Sequence, residues 1–180
     1  ILEHNSPAII MSDGPIRPGT DSVTNERIDI ISGFQVAGSD DEEMKKRIAC
    51  ESCPGFGSCG GMFTYNTMQT FIGVMGLEPL HMIAPPSDDK RRLDQFPSEL
   101  VNYLQAMIES QVTPRDIVNR DSIRNAMIVA MAIGGSTNVL LHGPEIARAA
   151  GFRDFSEDVM SPEEFNHLSQ HVVPVLIDAR

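Results

Sequence analysis

The 180-residue chain has no tryptophan, only two tyrosines, and aromatic residues at 6% of its length. Basic side chains are also scarce, 14 against 25 acidic, for a net charge of −11. That deficit excludes an electrostatic nucleic-acid binder and a basic membrane-surface protein. No apolar run approaches the ~18 residues a membrane span needs. Three cysteines cannot pair completely within one chain, so a disulfide framework is excluded and a reducing compartment is expected. What remains is globular in character: 41% hydrophobic residues and 14 glycines, in a length that suits one domain.

Local signals then place the elements. Residues 7–11 (PAIIM) form a β-prone run that ends in the turn Ser12-Asp13-Gly14-Pro15, and Ile28–Ile31 suits a short strand or a loop. In residues 39–48 the acids precede the bases, which complements a helix dipole, with Ser39 or Asp40 as N-cap. Helical spacing recurs over 62–74, with Gly76 placed to end that helix. It recurs over 100–108, and most clearly over 122–133. Residues 81–98 read as a polar connection. Thr113-Pro114 starts another helix with proline at its first position. Pro144 predicts a kink or restart in the segment leading to Gly151. Ser161-Pro162-Glu163-Glu164 reads as a capping box, and 172–177 as a closing strand. Strands near both ends with helices between predict an α/β fold: part of a parallel-sheet domain with flanking helices, incomplete as a sheet.

The chemistry concentrates in two segments. Cys50, Cys53 and Cys59 are spaced C-x2-C-x5-C. A closed zinc site needs four ligands, and only His81, beyond a helix, could join them. A redox Cys50-x-x-Cys53 pair should open a helix, but Pro54-Gly55 follows it directly. Cys59 differs, because it stands in Gly57-Ser58-Cys59-Gly60-Gly61 directly before a helix. A helix N-terminus stabilises thiolate, and glycines let backbone N–H groups approach cluster sulfurs. Cys59 is therefore taken as an iron–sulfur ligand, and Cys50 and Cys53 as small buried hydrophobes. The second segment is Gly134-Gly135-Ser136-Thr137-Asn138. A helix–helix connector with a cap accounts for it, and a helix N-terminus facing an anion is the sharper alternative. His142, one turn further on, is expected to be packed. Ser12-Asp13-Gly14-Pro15, where a strand would end, is ordinary turn chemistry.

Taken together, CPGFGSCGGMFTYNTM (53–68), GLEPL (76–80) and the long run TPRDIV…ARAAG (113–151), with PAIIMSDGPIRPG (7–19) before them, resemble the dihydroxy-acid dehydratase/phosphogluconate dehydratase family, nearest its dihydroxy-acid dehydratase branch. The resemblance covers nearly the whole chain in order. It implies an iron–sulfur hydro-lyase that converts a 2,3-dihydroxy acid, a branched-chain amino-acid precursor or a sugar acid, to a 2-oxo acid. It further implies a [2Fe–2S] or [4Fe–4S] cluster with Cys59 as one metal ligand, an accompanying Mg2+, a homodimer when intact, and a place in the cytoplasm or an organelle matrix. No residue here matches a family catalytic base. The first cluster cysteine, the Cys-Asp-Lys segment with the second and the Mg2+ ligands, and the C-terminal region with the proposed serine base have no counterpart among these residues. Tyr65 in place of a small residue, Pro144 and the charged stretch 87–92 depart from the family pattern. The resemblance thus makes residues 1–180 a fragment of the N-terminal iron–sulfur/substrate domain, opening on Ile1 and inactive by itself. From another class, a non-catalytic α/β binding or assembly module that has lost its metal site is the alternative.

Overall fold

The computed structural model describes residues 1–176. Helices make up 53% of the described residues, and the only sheet among them is a two-stranded antiparallel one. The expected parallel-sheet domain is therefore corrected to a mainly helical fold. The PAIIM segment is extended as expected, yet its one main-chain contact with a neighbour is Ile10 N–H to the Leu77 carbonyl at 2.9 Å. Extended residues form a sheet only where a second strand supplies partners, and here none lies alongside.

The sheet is a hairpin, β1 (Gly19–Thr20) with β2 (Arg27–Ile28). Asp21 organises its turn by accepting the Val23 N–H at 2.9 Å, and Asn25 takes the left-handed φ of 59°. The chain turns directly into α1 (Ile30–Val36), where Asp29 and Ser32 form a reciprocal capping box. Residues 28–31 thus split between a strand end and a helix start. Helix α2 (Glu42–Glu51) carries its acids in the first turn as expected, although Asp41 is the N-cap.

The core centres on α3 (Thr64–Val74) packed against α8 (Arg120–Ala132), with α9 (Val139–Ala150) beside α8. Phe71, Met75, Ile123, Ala126, Met127 and Ala147 are buried there. Methionine fills irregular core gaps, which accounts for Met75 and Met127 without a cofactor. Around this centre lie α4 (Leu80–Ile83), α5 (Arg91–Asp94), α6 (Phe96–Glu109) and α7 (Pro114–Ile117), then α10 (Phe155–Asp158) and α11 (Pro162–His167).

Three expectations need correction here. Residues 81–98 are no plain connection, for they hold α5, most of α4 and the start of α6. Pro144 sits inside a continuous α9. It forfeits its own N–H bond, and the remaining turns on either side carry the helix through. Residues 168–172 form a π-helical turn and 173–176 lie in no strand, so the closing strand is absent over 172–176; position 177 falls outside the described residues. Ser161 does cap α11, at 3.1 Å from the Glu164 N–H. The Glu164 carboxylate, however, turns to Arg124 at 2.7 Å instead of completing the box.

Candidate functional site: a thiol loop clamped against a helix N-terminus

Cys59 lies half-buried on the loop between α2 and α3 and is a free thiol. The loop is held from both flanks. On one side Ser58 forms a parallel bridge with Pro15: the Ser58 N–H donates to the Gly14 carbonyl at 3.0 Å, and the Ile16 N–H to the Ser58 carbonyl at 2.7 Å. On the other side Asn66, in the first turn of α3, donates its amide to the carbonyls of Cys59 (2.8 Å) and Gly61 (2.6 Å). The open end of α3 carries no side-chain cap at Phe63. Its unpaired N–H groups give that end a positive potential.

Gly57 has a φ of +136°, and a Cβ there would fall 1.9 Å from the Ser87 hydroxyl. Ser87 uses that hydroxyl to reach the carbonyls of Phe56 (2.7 Å) and Pro15 (3.2 Å). The 87–92 stretch, which departs from the family pattern, is therefore the clasp on the thiol loop. Its last residue, Arg92, is buried and bridges the carbonyls of Ser12 (2.5 Å), Met82 (3.1 Å) and Pro85 (2.6 Å). Gly14, at φ +90°, passes so close to that guanidinium that a Cβ would stand 2.6 Å from Nε. A buried guanidinium needs its N–H groups satisfied, and three chain segments are tied together in doing so.

The sequence-predicted residues separate as follows. Cys50 is exposed, which corrects its reading as a buried hydrophobe, and Cys53 is half-buried. Burial pushes the Cys53 thiol up, and the neighbouring Cys59 and Asp29 add to the effect. Cys53 borders a small polar cavity of about 450 Å3 together with Ile16, Arg27, Asp29 and Gly60. His81 is on the surface, 2.8 Å from a Glu99 carboxylate oxygen and edge-on to Phe96, and joins no cysteine. His142 is exposed and not packed.

The second motif arrives at the same helix end, which sequence spacing alone does not reveal. Asn138 donates its side-chain amide to the Thr64 hydroxyl at 2.6 Å, and the Ser136 hydroxyl lies 3.4 Å from that oxygen. The Ser136 N–H donates to the buried Thr67 hydroxyl at 2.9 Å. The Gly-Gly-Ser-Thr-Asn turn thus serves as a connector that also docks on the first turn of α3. Thr64, Thr67 and Asn66 were missed in the sequence because polar residues on a helix start carry no signal of what faces them.

A half-buried thiol, followed by two glycines and set before an uncapped helix end, fits one ligand position of an iron–sulfur cluster. Among the described residues no three His, Cys, Asp or Glu side chains converge to hold a metal ion, so these residues do not make a complete site.

This architecture defines a mainly helical domain that presents two half-buried thiols, Cys53 and Cys59, on a clamped loop. The chain belongs to the family described as dihydroxy-acid/6-phosphogluconate dehydratase, N-terminal, which it matches over residues 1–180. It is 37% identical over 181 residues to the chloroplastic dihydroxy-acid dehydratase of Arabidopsis thaliana, covering 98% of this chain and 28% of the relative. It is 37% identical over 182 residues to a dihydroxy-acid dehydratase of Thermosynechococcus vestitus, covering 98% and 30%. With the mitochondrial enzyme of Saccharomyces cerevisiae the identity is 34% over 175 residues, covering 92% and 29%. The chain spans less than a third of the length of these relatives. No helix of the described residues is long and apolar enough to cross a membrane.

Proposed function

We propose that the protein carrying this chain is an iron–sulfur hydro-lyase that dehydrates a 2,3-dihydroxy acid to a 2-oxo acid in branched-chain amino-acid biosynthesis. The observation that carries the reading is Cys59, fixed at the open end of α3 in a chain that belongs to the dehydratase family. Loss of hydroxide is difficult because the leaving group is poor, and when bound the cluster supplies Lewis acidity at the 3-hydroxyl. Cys59 would hold one iron position. Asn66 ties the Cys59 and Gly61 carbonyls to the first turn of α3. Thr64, Ser136 and Asn138 would give the same helix end a polar rim suited to orienting hydroxyl and carboxylate groups of a small substrate. We assign no residue of this chain to the C2 proton transfer, and Mg2+ would be held from outside it. The intact protein is read as a homodimer of the cytoplasm or an organelle matrix.

The test is anaerobic purification of the full-length protein, with iron and sulfide analysis and visible and EPR spectra. Cys59→Ala is expected to abolish the cluster signal while the far-UV circular dichroism is retained; an unchanged signal rejects the ligand role. Assays for 2-oxo acid formation with branched-chain and sugar-derived dihydroxy acids separate the two substrate classes. Inactivity of an intact protein on both would favour a non-catalytic module.

A further inference from the structure

Tyr65 stands in the first turn of α3, beside Asn66, where the family resemblance implies a small residue. Its ring is half-buried and lies outside the main apolar core. The hydroxyl oxygen accepts the Gly14 N–H at 2.7 Å. Burial first, and then the neighbouring Asp13, push this phenol up to about 12, so it stays neutral at physiological pH. The Asp13 carboxylate also accepts the Ser58 hydroxyl, at 3.0 and 2.9 Å to its two oxygens. Gly14 and Ser58 are in turn the two sides of the main-chain bridge that precedes Cys59. The phenolic oxygen therefore holds one side of that bridge at Gly14, and the Asp13 carboxylate next to Gly14 holds the other side at Ser58.

We propose that Tyr65, acting through Gly14 and the bridge that Gly14 forms with Ser58, is a positioning residue for the Cys59 thiol. With a small side chain at 65, the Gly14 N–H would lose its partner, the contact of Ser58 with Asp13 would hold the bridge alone, and the bridge would open more often. Adjacent residues of one helical turn thus hold opposite flanks of the thiol: Asn66 grips the carbonyls of Cys59 and Gly61, and Tyr65 grips the segment on which Ser58 rests. The inference rests on Cys59 as the site residue of the proposed function. It concerns the placement of the thiol, which is measurable with no cluster present.

The experiment follows iodoacetamide alkylation of Cys50, Cys53 and Cys59 separately, by peptide mass spectrometry. It uses the full-length protein under reducing conditions with chelator. Tyr65→Phe is expected to raise the Cys59 rate about fivefold, the scale of one lost hydrogen bond in a local opening equilibrium, with Cys50 unchanged. Ser58→Ala should act in the same direction, and Ser58→Thr, which restores a hydroxyl, should return the rate to that of the parent protein. The Ser58 pair carries the test if Tyr65→Phe fails to fold. A Cys59 rate insensitive to loss of either hydroxyl, or one that rises in parallel with Cys50, or no rescue by threonine, would overturn the proposal. Because no cluster is involved, this result can fail while Cys59→Ala still abolishes the cluster signal, and the converse also holds.

Discussion

At the residue scale, the side chains that matter most are polar ones placed by distant partners. Arg92 is the clearest case, since its charge is buried against main-chain carbonyls of two segments, at Ser12 and at 82–86, and its guanidinium lies 5.9 Å from the centre of the Phe96 ring. Nothing in Lys-Arg-Arg as a string distinguishes the last arginine from a solvated one. Asp21 is a second case. Its carboxyl is held below the ordinary range, first by the Val23 N–H and then by Arg47, whose Nε lies 2.9 Å away. A lowered folded-state pKa means stability that is present above the unfolded value of about 4 and lost as pH falls through the folded value. Asp21→Asn should therefore lower the urea midpoint at pH 7. The gap between variant and parent should close as pH falls through the lowered folded-state value, where Asp21 too becomes neutral. A gap that persists undiminished at the lowest pH would show that packing, not charge, explains Asp21.

At the scale of elements, boundaries set by local chemistry were legible. Thr113-Pro114 opens α7 with proline at the first position, and Gly151 ends α9 in the left-handed region at φ 106°. Helices α3, α6 and α8 follow from apolar spacing. The short α1, α4 and α5 did not stand out, because a single turn contains too few residues to show a period. The docking of the Gly-Gly-Ser-Thr-Asn turn on α3 also lies at this scale. Gly135 makes it possible: a Cβ there would stand 2.8 Å from the Thr67 methyl and 2.9 Å from the Ala130 carbonyl. Gly135→Ala should push the turn off α3 and cost about 1–3 kcal/mol, the range for overpacking a tight contact. Chemical denaturation checks the stability. Amide exchange at Ser136, whose N–H is held by Thr67, should accelerate with it.

For the molecule as a whole, the apolar surface is unevenly distributed. A groove of about 940 Å3 runs between α3, α4 and α6, bordered by Ile9, Val74, Leu80, Tyr103, Met107 and Ile117. Leu80 is 65% exposed there, and Val101 and Ile108 on α6 are also exposed. Contiguous apolar surface of this kind attracts hydrophobic dyes and other protein surfaces. The 180-residue chain by itself should bind an environment-sensitive dye, and a charge placed in the groove by Met107→Glu should weaken that fluorescence. Equal fluorescence from the variant would locate the dye elsewhere, for example near exposed Leu141.

The sequence by itself determined the family and several helix ends, among them Thr113-Pro114 at the start of α7, Ser161 at the start of α11 and Gly151 at the end of α9. Each depends on residues close together in the chain, where caps, turns and glycine spacing act over a few bonds. Tertiary structure alone decided that the β-prone PAIIM segment joins no sheet, because strand pairing requires a partner that no local signal supplies. It also decided that residues 87–92 clasp the thiol loop, and that Thr64 meets Asn138 across 74 positions of sequence. The fate of a polar side chain depends on which distant donors and acceptors folding brings beside it. The three cysteines are all free thiols, and the loop around Cys59 is held from both flanks.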